Sequence, residues 1–227
     1  VKAWRVARVL ILLLWVVAAA MTWWTAPREV SYEKALDAAK SGEVRAYDWG
    51  MNWDDGSGRW LDAPYLERQS GPWFAWRTSD YRVYWADTSP ADGDQTTVDV
   101  NGMEHTGAAA EIARELDQPS GELIPWRKWI QGISAVLALT FFAVLIIGPA
   151  PALGTRWYWF WVVLLIPYAL GMVFWVLRDR PWSDAANEED RDHGWFGLAH
   201  AIAANLVITV VLLILNALLG DRWIPEY

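Results

Sequence analysis

Four apolar runs decide what this chain can fold into: Val6 to Trp24, Ile130 to Gly148, Trp157 to Leu177 and Trp195 to Leu219. Each matches the ~20 mostly apolar residues that a helix needs to cross a bilayer. None of them holds Asp, Glu or Lys, and Arg8 near the start of the first is their only Arg. A charge at the bilayer centre costs about 2.5 to 3.5 kcal/mol on insertion scales, so charge-free runs beside strongly charged connectors predict four transmembrane helices.

Tryptophan supports that reading. Of the 19 Trp residues, Trp23, Trp24, Trp126, Trp129, Trp157, Trp159, Trp182, Trp195 and Trp223 lie at or near the ends of the runs. An indole has an apolar body and a single N–H donor, which suits the headgroup level.

The expected architecture is a membrane protein with four transmembrane α-helices and a small α+β domain between the first two. Residues 1–26 form an N-terminal signal anchor, 27–125 an acidic α+β domain, and 126–227 a three-helix region spanning about 130–148, 157–177 and 195–219. Lys2, Arg5 and Arg8 precede the first run and Ala18 to Ala20 lie within it, as in a signal sequence. Met21, Thr22, Trp23 and Trp24 extend it to spanning length, which favours an anchor over a cleaved peptide.

Within 27–125, Ser31 reads as an N-cap, with Lys34 where a capping box would carry Glu. Tyr32, Leu36 and Ala39 then give one apolar helix face, Gly42 stops the helix, and Val44 and Ala46 open a strand. Asp54 to Gly58 forms a turn and Tyr81 to Trp85 a strand. Thr96 to Val100 forms a shorter strand, and Thr106 opens a last helix through Leu116.

Charge sets the sidedness. Lys2, Arg5 and Arg8 bias the N-terminus to the cytoplasm, so 27–125 is expected outside. With four spans, both termini are cytoplasmic. Arg127, Lys128, Arg178, Arg180 and Arg191 would then lie outside, against the same rule. The domain carries 9 Lys and Arg against 19 Asp and Glu. That balance repels phosphate backbones, so nucleic acid is excluded as its partner.

With no Cys in the chain, disulfides, thiolate metal sites and Cys nucleophiles are excluded. The sequence holds no HExxH, GxxxxGK[ST], GxSxG or strand-linked GxGxxG. No catalytic residue, cofactor or metal site is expected, and the carboxylates of Ser183 to His193 lack calcium-loop spacing. In the fourth run, Asn205, Thr209 and Asn216 fall within about 40° of one another on a helix. This polar stripe is expected to face Gln131 and Ser134 of the second run, as interhelical glue, a solute path or a contact with a partner's transmembrane helix, while His200, one turn into the run, reads as an interfacial or helix-packing imidazole with a proton relay as the alternative. Trp49, Trp53, Trp60, Trp73 and Trp76 form a possible interaction surface, with core packing as the alternative.

The stretch Val30-Ser31-Tyr32 … Leu36 … Ala39 … Ser41-Gly42-Glu43-Val44 resembles the start of the exterior domain of FtsH-type membrane proteases. In those proteins, a first span leads at once into [IV]-S-Y-S-x-[FL]-L-x-x-[VA]-x-x-G-x-V. The resemblance covers about 15 residues, and the ATPase and protease modules have no counterpart here. It implies an α+β fold and an exported side, and carries over no catalytic residue. The expected function is therefore non-enzymatic: a bacterial inner-membrane protein acting on a membrane-protein partner or on further copies of itself, as an accessory subunit or immunity-type protector. A small-solute transporter component and a glycan-binding protein are the alternatives.

Overall fold

The computed structural model describes residues 2–54, 61–67, 71–89, 97–100, 103–116, 122–148, 151, 153–179 and 193–219. In chain order the elements are α1 (Lys2–Thr25), β1 (Arg28–Glu29), α2 (Tyr32–Ser41), β2 (Ala46–Gly50), β3 (Trp53–Asp54), β4 (Tyr65–Leu66), β5 (Trp73–Arg77) and β6 (Val83–Asp87). Then come β7 (Val98–Val100), β8 (Met103–His105), α3 (Gly107–Glu115), α4 (Arg127–Ile147), α5 (Arg156–Leu165), a 3-10 turn (Pro167–Ala169), α6 (Leu170–Arg178) and α7 (Gly194–Leu219). Contacts divide the chain into a helical unit (Val1–Thr22, Ser57–Asp62, Lys128–Leu215) and a sheet unit (Trp23–Gly56, Ala63–Arg127, Asn216–Tyr227).

Among the described residues, three helices are long and apolar enough to cross a membrane: Trp4–Thr25, Arg127–Ile147 and Gly194–Leu218. The third apolar run departs from the expected single helix. It is broken into α5 and α6, whose axes bend by 116°. At 1.5 Å per residue each half is only about 15 Å long, half the ~30 Å hydrocarbon core. Pro167 starts the break, because it lacks an N–H and holds Ile166 in an extended conformation (φ −74°, ψ 124°). Tyr168 and Ala169 then take left-handed backbone angles, φ 57° and 54°, which reverse the chain. Gly171 lets α6 lie back on α5, since a Cβ there would meet the Val162 carbonyl oxygen at 2.1 Å.

Side chains from two other helices close the broken tip. Asn205 of α7 donates from Nδ2 to the carbonyls of Leu165 (2.9 Å) and Ala201 (2.8 Å). Trp15 of α1 donates from Nε1 to Tyr168 O at 2.9 Å. The far end of α6 meets the start of α1: Arg8 donates to Leu177 O at 2.8 Å, and Trp4 packs edge-on to Trp175 at 5.6 Å. The start of α5 lies beside α7, with Tyr158 5.9 Å from His200, and Trp159 lies 5.7 Å from Phe174 of α6. The hairpin therefore has both open ends level with the beginnings of α1 and α7 and its tip halfway along them. Leu137, Phe141, Trp159, Val163, Met172 and Trp175 are buried at its centre.

The sheet unit is built on strand order β1-β6-β5-β2, with β1 parallel to β6 and the other pairs antiparallel. Side chains alternate across the sheet, so Tyr47, Trp49, Phe74, Trp76 and Ala86 meet α2 and α3 through Ala35, Ala38, Ala39, Ala109, Ile112 and Ala113. The alanines of both helices let them approach the large rings. Gly42 ends α2 at φ 71°, with its N–H on Ala39 O and that of Glu43 on Ala38 O, satisfying the last-turn carbonyls. Tyr32 of α2 and Glu111 of α3 share a 2.7 Å hydrogen bond. Burial, reinforced by the Glu111 carboxylate, pushes the Tyr32 hydroxyl up to about 12.

The helices after Ser31 and Thr106 form where the sequence places them, over Tyr32–Ser41 and Gly107–Glu115. The strand expected at 81–85 runs over Val83–Asp87, because Tyr81 is in a left-handed turn (φ 68°). Most of the expected turn at 54–58 lies outside the described residues.

Candidate functional site

The sheet unit holds a cavity of about 470 Å3 where the last turn of α1, β1, the start of α2 and β6 come together. Three cations, Arg28, Lys34 and Arg82, line it with Trp23, Trp24 and Tyr84, and among the described residues Glu29 is the one carboxylate at its wall.

Each cation has a different role. Arg28 is buried and its guanidinium donates to the carbonyls of Trp23, Trp24 and Ala26, so its charge closes the C-terminal end of α1. Arg82 stacks over Trp24 at 4.7 Å and pairs with Asp80 at 3.3 Å. The Trp24 indole N–H donates to Asp80 O at 2.8 Å, which fixes that ring against the β5–β6 turn. The Thr78 hydroxyl, with the amide and charge of Arg82, holds the Asp80 carboxyl below its ordinary range.

Lys34 is exposed and lies over the Tyr84 ring at 4.8 Å. It occupies the third position of α2, where the positive helix end disfavours a cation. Ser31 makes no cap bond to the helix. Its hydroxyl instead hydrogen-bonds the Glu33 carboxylate and holds it below its ordinary value. The departure from a capping box thus has a structural counterpart: the residue that breaks it faces the cavity.

The stripe on α7 does not form one site. Asn205 is committed to the Leu165 and Ala201 carbonyls, Thr209 is exposed and Asn216 is half-buried. Gln131 and Ser134, expected to face it, make their described hydrogen bonds elsewhere. Gln131 donates to the Asp62 carboxylate at 3.2 Å and Ser134 to Leu61 O, so both hold the 61–62 segment. The reason is the break after Leu165, which leaves a carbonyl that a nearby amide satisfies. His200 Nδ1 sits 2.7 Å from Phe196 O on its own helix.

The tryptophans expected as a surface are mostly interior. Trp49, Trp53 and Trp76 are 3%, 5% and 1% exposed, and Trp73 stacks on Trp85 at 4.5 Å. A small sheet without disulfides needs large side chains between its layers, and these rings fill that space. Trp60 and residues 183–192 lie outside the described residues. His105 is buried against the Trp49 ring at 4.2 Å, and burial lowers its pKa although Asp99 acts the other way. Among the described residues, no three of His, Asp and Glu stand together as metal ligands.

Reading by motif missed Arg28 and Arg82 because they are separated along the chain and joined only by the parallel pairing of β1 with β6. The signal within reach was Lys34 in place of a capping Glu. Compared with family models, with curated proteins and with solved structures, the chain matches none.

Proposed function

We propose that this chain is a non-enzymatic bacterial cytoplasmic-membrane protein that acts by contact with another membrane protein, as an accessory subunit or an immunity-type protector. The observation that carries this reading is α7. Within its apolar segment Gly194–Leu218, only 6% of the 18-residue apolar window is buried by the rest of the chain. Leu206, Val207, Val210 and Leu213 are all exposed along it. Asn205, the first member of the polar stripe, is committed to backbone carbonyls, which favours an interaction role over transport.

Cross-linking from α7 tests this. A photoreactive residue at Leu206 or Val210 should join one membrane protein, or a second copy of this chain, in stoichiometric yield in native membranes. Capture of lipid alone at both positions would overturn the reading.

The bent α5–α6 pair supports a topology with three spans. Residues 27–125 lie outside, and α5–α6 enters and leaves on the cytoplasmic side, so α7 crosses outward as the third span. This arrangement puts Arg156, Arg178, Arg180 and Arg191 on the same side as Lys2, Arg5 and Arg8, in keeping with positive charge inside. Four full spans would put Arg178, Arg180 and Arg191 outside. Because the chain has no Cys, single cysteines report sidedness cleanly. A membrane-impermeant maleimide should label Lys40→Cys and Asp221→Cys in intact cells, and Asn187→Cys only after permeabilisation. Labelling of Asn187→Cys with protection of Asp221→Cys would establish four spans instead.

A further inference from the structure

We propose that the cavity lined by Lys34, Arg82 and Trp24 binds the phosphodiester of an anionic lipid headgroup. The inference requires α1 to cross the membrane and is independent of whether the chain acts through a partner.

Charge is the first argument. The sheet unit lies in a segment with a large excess of acidic residues, yet Arg28, Lys34 and Arg82 converge on one cavity whose described lining holds one carboxylate, Glu29, with Asp80 paired to Arg82 beside it. Lys34 makes that convergence at a helix position that disfavours a cation. Among the described residues its ammonium makes no ion pair and lies over the Tyr84 ring, which leaves N–H donors for a ligand. Arg82 holds Asp80 through Nε and keeps its face on Trp24, which leaves the rest of the guanidinium fork for an anion. Arg28 acts at short range through its charge, its N–H groups being directed to the end of α1.

Position is the second argument, and it selects lipid over a soluble anion. Trp23 and Trp24 end the apolar run of α1, are 43% and 38% exposed, and also line the cavity. Indoles at the end of a span sit at headgroup depth, so this cavity opens where phosphodiesters are concentrated. Its volume of about 470 Å3 suits a glycerophosphate headgroup, with the acyl chains left in the bilayer beside α1.

The test uses the full chain in detergent, with retained lipid read by native mass spectrometry against phosphatidylglycerol and phosphatidylcholine. Phosphatidylglycerol should be retained preferentially. Lys34→Ala and Arg82→Gln should each weaken its retention about tenfold, the loss expected for one charge-assisted hydrogen bond, and Glu29→Gln should strengthen it. Lys34 is exposed and its removal leaves the core intact, so unchanged circular dichroism accompanies the loss. Glycerol phosphate and inorganic phosphate at lipid-equivalent concentrations should not displace the lipid. Equal retention by Lys34→Ala, or displacement by glycerol phosphate, would overturn the proposal, the second outcome assigning the cavity to a soluble phosphate.

Discussion

Replacing Trp76 by Ala should strongly destabilise the sheet unit while leaving the helices in place. Trp76 sits in β5 with 1% of its surface exposed, stacked on Phe74 at 5.2 Å and against Tyr84 at 5.7 Å. It belongs to the cluster that joins the central strands to α2 and α3. Deleting a buried indole costs about 3 to 5 kcal/mol through lost transfer energy and the cavity left behind. Small domains have about 5 to 15 kcal/mol in total, so that change removes a large part of the stability. Thermal unfolding of the full chain, followed by near-ultraviolet circular dichroism, should show the domain transition lowered by more than about 12 °C. A shift under about 5 °C would mean that the ring is not a core element. Trp73→Ala is the control, because that half-buried ring loses mainly its contact with Trp85.

Gly171→Leu should open the α5–α6 hairpin. A Cβ at 171 would lie 2.1 Å from Val162 O and 2.8 Å from Val163 Cα. Both atoms are backbone, so no side-chain rotation relieves the overlap and α6 must move away from α5. Overpacking of this kind costs about 3 kcal/mol, and separation of the halves would also expose Met172 and Val163 from the centre of the bundle. The carbonyls of Leu165 and Tyr168 would lose their partners Asn205 and Trp15, and an unsatisfied carbonyl in hydrocarbon costs several kcal/mol more. In mixed-micelle titrations with a denaturing detergent, the variant should lose helical packing well before the parent chain. Coincident transitions would rule out close packing at Gly171.

The readings that held up were carried by local chemistry. The apolar runs at 6–24, 130–148 and 195–219 fall on the long helices Trp4–Thr25, Arg127–Ile147 and Gly194–Leu218 because each run is uninterrupted and internal hydrogen bonds satisfy its backbone. Gly42 ended α2 because its left-handed conformation is open to a residue without Cβ. β5 was harder to recognise: Phe74, Ala75 and Trp76 are buried on both faces of a central strand, so no polar alternation marks it. β1 is only two residues long and forms because β6 is there to pair with it.

Tertiary structure decided where the polar side chains act. Helical spacing puts Asn205, Thr209 and Asn216 on one face, but spacing does not reveal which backbone carbonyls the neighbouring segments leave open. The carbonyl at Leu165 opens because Pro167, Tyr168 and Ala169 reverse the chain, and Asn205 is the amide at that depth. The cationic cavity is a similar case, since Arg28 and Arg82 are far apart in sequence and meet only through the pairing of β1 and β6. The sequence by itself determined that this is a chain of apolar helices carrying an acidic α+β segment, because hydrophobicity and turn chemistry act over a few residues. Only the tertiary structure decided that the third run folds back and that three cations share one cavity, because both depend on contacts between residues separated by tens of positions.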